Sequence, residues 1–178
     1  WCIQNNYAGV ENLSLIPGQV GASPIQNIGA YGVELKDVCD SVEAIHLRTG
    51  EQIVLSNLDC EFGYRDSVFK HQLKDEYLIT AVNYRLNKSP NFQVSYGDVK
   101  ATLQDMNVQN LTLKNVSDDV VKIRSSKLPD PKVLGNAGSF FKNPTVTQEK
   151  YEELVATNPV MTSFPTTDGT AKLTDAWL

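Results

Sequence analysis

Apolar and polar residues alternate over residues 41–48 (Ser-Val-Glu-Ala-Ile-His-Leu-Arg), the period of a half-buried strand. Thr49-Gly50-Glu51 supplies a turn and residues 52–56 a second run, so the pattern predicts a hairpin. Residues 77–86 and 92–96 are rich in β-branched and aromatic side chains and read as two further strands. The stretch 87–91, with Pro90, separates them as a loop. Residues 97–116 are polar with scattered leucines and carry no clear period. Ser117 then reads as a helix N-cap, with Asp118 and Asp119 in the first turn where carboxylates suit the helix dipole. Val120, Val121 and Ile123 give that helix its apolar side. Leu128-Pro129-Asp130-Pro131 ends it and marks the domain boundary, because proline cannot continue a helix. Thr147 is positioned to cap a last helix, about 148–156, with Tyr151, Leu154 and Val155 on its apolar face.

The N-terminal part has a different texture. Residues 1–10 read as the tail of a helix running into a loop at Gly9. Residues 12–35 carry four glycines and two prolines, too many for one regular element, although short helical turns fit. Strands first, with helices inserted and appended, predict an α+β fold rather than alternating α/β.

Composition narrows the function classes. With 178 residues, 41% hydrophobic and 21% charged, the chain is of ordinary globular type, long enough for one domain or two small ones. No apolar run approaches the ~18 residues that cross a bilayer. A net charge of -5 and a pI near 5.0 argue against a broad nucleic-acid-binding face, while leaving room for a local basic pocket that takes a phosphorylated small molecule. Three widely spaced cysteines, Cys2, Cys39 and Cys60, form neither a disulfide framework nor a zinc site, so no metal is expected. They read as buried reduced thiols of a cytosolic protein. The chain opens Trp1-Cys2-Ile3 with neither Met nor a signal peptide, so a processed start or a piece of a longer protein is expected.

Three segments hold candidate chemistry. The glycine loop from Ile16 to Gly32 is neither a GxGxxG fingerprint nor a P-loop. Its glycines suit close backbone approach to a flat or anionic ligand, and equally a tight structural turn. In Phe62-Gly63-Tyr64-Arg65-Asp66, the arginine is either a surface ion pair or a planar grip on a carboxylate. In Gly135-Asn136-Ala137-Gly138-Ser139-Phe140-Phe141-Lys142-Asn143-Pro144, Ser139 has no GxSxG elbow around it. It suits a general acid in an aromatic-walled pocket, or a turn cap.

Taken in order, PGQVGASPIQNIGAYGVEL, FGYRDSVFK, SYGD and KLPDPKVLGNAGSFFKNP resemble the UDP-N-acetylenolpyruvoylglucosamine reductase family, from about Gly9 to Leu178. The resemblance implies a flavoenzyme, also called UDP-N-acetylmuramate dehydrogenase. In that chemistry NADPH reduces FAD, and flavin N5 passes hydride to the vinyl carbon of UDP-N-acetylglucosamine enolpyruvate. Protonation of the neighbouring carbon then gives UDP-N-acetylmuramate for peptidoglycan. The terms that follow are cell wall biogenesis, cell shape, cell division and cytoplasm. By resemblance, Arg65 holds the carboxylate where charge develops and Ser139 donates the proton. Ser23, Gln26, Ile28, Gly29 and Tyr31 match the segment along FAD. Tyr96 matches a lid tyrosine, and Lys127 and Asn143 match contacts to the nucleotide-sugar. The partner implied is a small molecule, with no nucleic acid, no membrane and no obligate protein.

The family opens with a small FAD-binding domain and closes with a segment that carries a catalytic glutamate, and this sequence shows neither. The expected organisation is the second FAD-binding subdomain with an antiparallel sheet over 1–128, then the start of a small α+β substrate-binding domain over 129–178. A fragment of impaired or no activity is expected. The alternative is a non-catalytic flavin or UDP-sugar binding module. Truncation is also expected to expose apolar surface around Leu154, Val155 and Leu173.

Overall fold

A computed structural model describes residues 1–95, 99, 110–127, 129–130, 132–135, 142–166 and 169–174. Two compact units are present, Trp1–Leu128 and Pro129–Leu178. The mixed architecture with antiparallel sheets and few helices is the α+β fold that the pattern predicts. Among the described residues, no helix is long and apolar enough to cross a membrane.

In the first unit a two-residue hairpin, β1 (Gly29–Ala30) with β2 (Val33–Glu34), precedes a three-stranded antiparallel sheet. That sheet has the order β4-β3-β5, with β3 Cys39–His46, β4 Gln52–Ser56 and β5 Tyr77–Tyr84. The β3–β4 hairpin matches the sequence pattern, with Ser41 opposite Ser56 and Ile45 opposite Gln52. His46 closes its turn by accepting at Nδ1 from the Thr49 N–H at 3.1 Å. Toward β5 the register shifts between Cys39 and Ser41 and again between Glu43 and Ala44. Such bulges re-aim side chains. They let Cys39, Val42 and Ala44 all face inward although their numbers do not share one parity.

The sheet packs on a core of Leu35, Cys39, Val42, Cys60, Val68 and Phe69. Burial pushes both buried thiols up, Cys60 to about 12, with Cys39 and Asp59 adding repulsion of the thiolate. All three cysteines are free and Cys2 is half-buried.

Helix α1 spans Leu113–Lys127 and starts before the expected cap at Ser117. Thr112 and Asn115 cap it reciprocally. The Thr112 hydroxyl accepts from the Asn115 N–H at 3.2 Å, and Asn115 Oδ1 accepts from the Thr112 N–H at 3.1 Å. Ser117 lies inside the helix and bonds the Ser14 hydroxyl at 2.8 Å. Leu113, Val116, Val120 and Ile123 form the buried stripe, and the helix packs on the 3₁₀ turn Glu11–Leu13. The N-terminal residues form a 3₁₀ turn, Ile3–Asn5, closed by Asn6 in the left-handed region, rather than a helix tail. Residues 92–95 run without regular structure instead of forming a strand. Asn12 Nδ2 bonds the Gln93 carbonyl at 2.8 Å and the Tyr31 carbonyl at 2.9 Å, fastening the segment side chain to backbone.

The second unit has β6 (Thr145–Thr147), β7 (Ser163–Pro165) and β8 (Thr170–Leu173) in the order β6-β8-β7, all antiparallel, with helix α2 Gln148–Thr157. Thr147 caps α2 as expected, accepting from the Lys150 N–H at 3.3 Å. Leu154 and Val155 are half-buried, and Leu173 is buried in the central strand rather than exposed. The expectation of bare apolar surface fails at Leu173, in the strand against which α2 packs.

Candidate active site

Of the residues singled out in the glycine loop, Gly29 and Tyr31 lie on the β1–β2 hairpin, Ile28 directly precedes it, and Ser23 and Gln26 lie in the turns before it. Gly32, at φ +82°, makes its turn with no atom near the position a Cβ would take. Tyr31 beside it is also left-handed, at φ +48°, and packs on the cluster of Val99, Val120 and Ile123. Ile28 packs against the sheet core, and its N–H bonds the Ser23 carbonyl at 3.2 Å. The Ser23 hydroxyl is turned inward: it donates to the Val20 carbonyl at 2.5 Å and lies 3.4 Å from the Tyr84 hydroxyl. Burial raises the Tyr84 phenol, and the Ser23 hydrogen bond opposes that shift. Gln26 is exposed.

Arg65 comes to the same hairpin from a tight turn. Gly63 and Asp66 exchange backbone hydrogen bonds at 3.0 and 3.3 Å, and Arg65 between them is left-handed at φ +54°. The Lys70 ammonium donates to the Arg65 carbonyl at 2.9 Å. The guanidinium lies over the Tyr64 ring at 5.3 Å. Its Nη2 donates to the Gly29 carbonyl at 2.5 Å, while Nη1 is buried, without a hydrogen bond, 3.8 Å from Glu34 Oε1. The neighbouring acid, Asp66, pairs with His71 at 2.9 Å. Arg65 is therefore a docked group rather than a loose surface ion pair.

Two residues that the sequence reading passed over build this arrangement. Asn27 is fully buried; its Nδ2 bonds the Gly63 carbonyl at 2.9 Å and Glu34 Oε2 at 3.1 Å, and its Oδ1 accepts from the Lys36 N–H at 2.9 Å. Glu34 also meets the Lys36 ammonium at 3.1 Å. The only visible signal was a polar pair flanking the glycine run.

Lys127 is exposed in the last turn of α1, and Asn143 is half-buried ahead of β6. Tyr96 and Ser139 lie outside the described residues. Two surface depressions, of ≈ 390 and ≈ 510 Å³, are lined by Lys36, Asp37, Asn57 and Leu58 among others, and by none of the singled-out residues.

Comparison with known proteins bears on what this arrangement serves. A family profile described as an FAD binding domain matches residues 1–56, the glycine loop through β4. A UDP-N-acetylenolpyruvoylglucosamine reductase of Aliivibrio fischeri is 51% identical over 178 residues, all of this chain and 50% of the relative. Namesakes from Chromobacterium violaceum and Flavobacterium johnsoniae are 52% and 48% identical, with 52% and 53% of their lengths covered. Over its length the chain is similar to these UDP-N-acetylenolpyruvoylglucosamine reductases at about half of its positions. It spans about half the length of the curated relatives it matches. A solved UDP-N-acetylenolpyruvylglucosamine reductase from Thermus caldophilus shares the fold, with a TM-score of 0.57 at 21% identity over 97% of this chain and 55% of that one. The FAD-type profile ends before the turn that carries Arg65, whereas the similarity to the reductases spans both the hairpin and that turn.

Proposed function

We propose that the chain serves FAD-dependent, NADPH-driven reduction of UDP-N-acetylglucosamine enolpyruvate to UDP-N-acetylmuramate, a cytoplasmic step toward peptidoglycan. The observation that carries this reading is Arg65 docked on the glycine hairpin. A permanently charged planar group is held beside the segment that matches an FAD binding domain. The residues fit FAD. Gly18 has open space around its missing Cβ, and the exposed backbone there leaves room for a flat or anionic group to approach. In this reading residues 1–128 supply the second FAD-binding subdomain and residues 129–178 part of the substrate-binding domain.

FAD, when bound, supplies the hydride chemistry. In this reading the Gly29–Tyr31 backbone, Gln26 and Ile28 would hold the flavin. Ser23 acts from beneath, shaping the loop through its bond to Val20. Arg65 stabilises charge that builds on the substrate carboxylate. Ser139 donates the proton that completes the product. Tyr96, Lys127 and Asn143 hold the diphosphate and sugar, Lys127 as a point charge.

NADPH oxidation by the FAD-loaded protein tests the reading. Oxidation that depends on the enolpyruvyl sugar supports it. Flavin retention with no sugar-dependent oxidation under any condition favours a binding module instead.

A further inference from the structure

Gly29 and Gly32 sit three residues apart and are glycines for different reasons. Gly32 has φ +82° and empty space around it, so the turn conformation calls for glycine. Gly29 has no left-handed φ, and its constraint is space. A Cβ there would stand 2.8 Å from Arg65 Nη1, 2.9 Å from Glu34 Cγ and 3.0 Å from the Val33 carbonyl oxygen. The hydrogen of Gly29 faces the inner edge of the guanidinium, and the Gly29 carbonyl takes Nη2 at 2.5 Å. The backbone of Arg65 is fixed independently, by the Gly63–Asp66 turn, by Lys70 and by buried Asn27 bonding the Gly63 carbonyl. Only the plane and depth of the guanidinium are left for the hairpin to set.

We propose that Gly29 is a positioning residue for Arg65. It admits the inner edge of the guanidinium against the β1–β2 hairpin and so fixes the outer edge that meets the substrate carboxylate. The assignment rests on the proposed role of Arg65 and adds to it a residue that acts through that arginine. Nη1 and Nη2 are both taken up inward, toward Glu34 and the Gly29 carbonyl. The Arg65 side chain is nonetheless 31% exposed. The nearest of the three atoms, Arg65 Nη1, is the far end of a flexible side chain, so alanine at position 29 displaces the guanidinium first.

The test compares two ligands of the FAD-loaded full chain by calorimetry: the enolpyruvyl UDP-sugar and UDP-N-acetylglucosamine, which lacks the carboxylate. The ratio of their affinities isolates the grip on the carboxylate. Gly29→Ala is expected to lower that ratio by about tenfold, the size of one charge-assisted hydrogen bond. Affinity for the plain sugar falls by less than affinity for the enolpyruvyl sugar. In an Arg65→Met background, where the ratio has already collapsed, Gly29→Ala is expected to do nothing further. Equal weakening of both sugars makes Gly29 merely structural and overturns the proposal. A fall of the same size in both backgrounds also overturns it, while leaving the role of Arg65 standing. An unchanged ratio in Arg65→Met removes the reading of Arg65 and this proposal with it. A measurement on the unsubstituted chain is independent of any folding failure. The guanidinium ¹⁵N signals of Arg65, assigned by their loss in Arg65→Met, are expected as resolved, slowly exchanging Nη resonances. A single averaged signal contradicts a docked guanidinium.

Discussion

Arg65 Nη2 donates to the Gly29 carbonyl at 2.5 Å, across 36 positions of sequence. This bond joins the glycine loop to the FGYRD turn and makes one site of two motifs. Arg65→Lys keeps the charge and loses the planar fork, so it cannot reach the Gly29 carbonyl and a carboxylate together. The expected result is a loss of about 10²-fold or more in reoxidation of reduced flavin by the enolpyruvyl sugar. Flavin reduction by NADPH stays within a few-fold. Stopped-flow absorbance of the two half-reactions checks this.

The thiols differ in reach. Burial raises Cys39 and carries Cys60 to about 12, while Cys2 is half-buried. The thiolate is the reactive form. At pH 8 a thiol-disulfide reagent is expected to titrate one cysteine in the native chain and three after denaturation. Loss of the fast phase in Cys2→Ser assigns it.

Asp119 is fully buried in α1, with both carboxylate oxygens unpaired. Desolvation raises its pKa above 3.8, and Lys122 opposes the shift. A carboxyl whose folded pKa is raised stabilises the fold in its protonated form, and stability falls as pH rises from the unfolded value through the folded one. Asp119→Asn is therefore expected to stabilise the chain at pH 7, by about 1 kcal/mol. The gain shrinks as pH falls through the raised pKa and vanishes below 3.8. Urea melts across that range check the sign.

Thr112 and Asn115 cap α1 through reciprocal bonds. Thr112→Ala is expected to cost about 1 kcal/mol, and Ser117→Ala less, since Ser117 caps nothing. Denaturant midpoints separate the two.

That cap also shows where sequence reading stops. The β3–β4 hairpin was legible because the apolar-polar alternation, broken only at Ala44-Ile45, and a Thr-Gly turn agree. The last helix was legible because Thr147 stands directly before its apolar stripe. For α1 two serviceable caps compete, Thr112 and Ser117. The choice falls on Thr112 because Leu113 and Val116 extend the buried stripe toward the N-terminus. Residues 92–95 have strand composition, yet Asn12 claims the Gln93 carbonyl from 81 positions away. At the site, the motifs named Arg65 and Gly29 separately. Their contact, and the part of Asn27 and Glu34 in it, depend on tertiary approach that no local pattern encodes.

The most direct test is an anaerobic absorbance record of the FAD-loaded protein, first with NADPH and then with the enolpyruvyl sugar. Bleaching by NADPH followed by recovery with the enolpyruvyl sugar, but not with UDP-N-acetylglucosamine, is the predicted result. In Ser139→Ala the bleaching is expected to be unchanged and the recovery 10²- to 10⁴-fold slower, the worth of a positioned general acid. A bleached flavin that the enolpyruvyl sugar leaves untouched, or equal slowing of both steps in Ser139→Ala, would contradict the account.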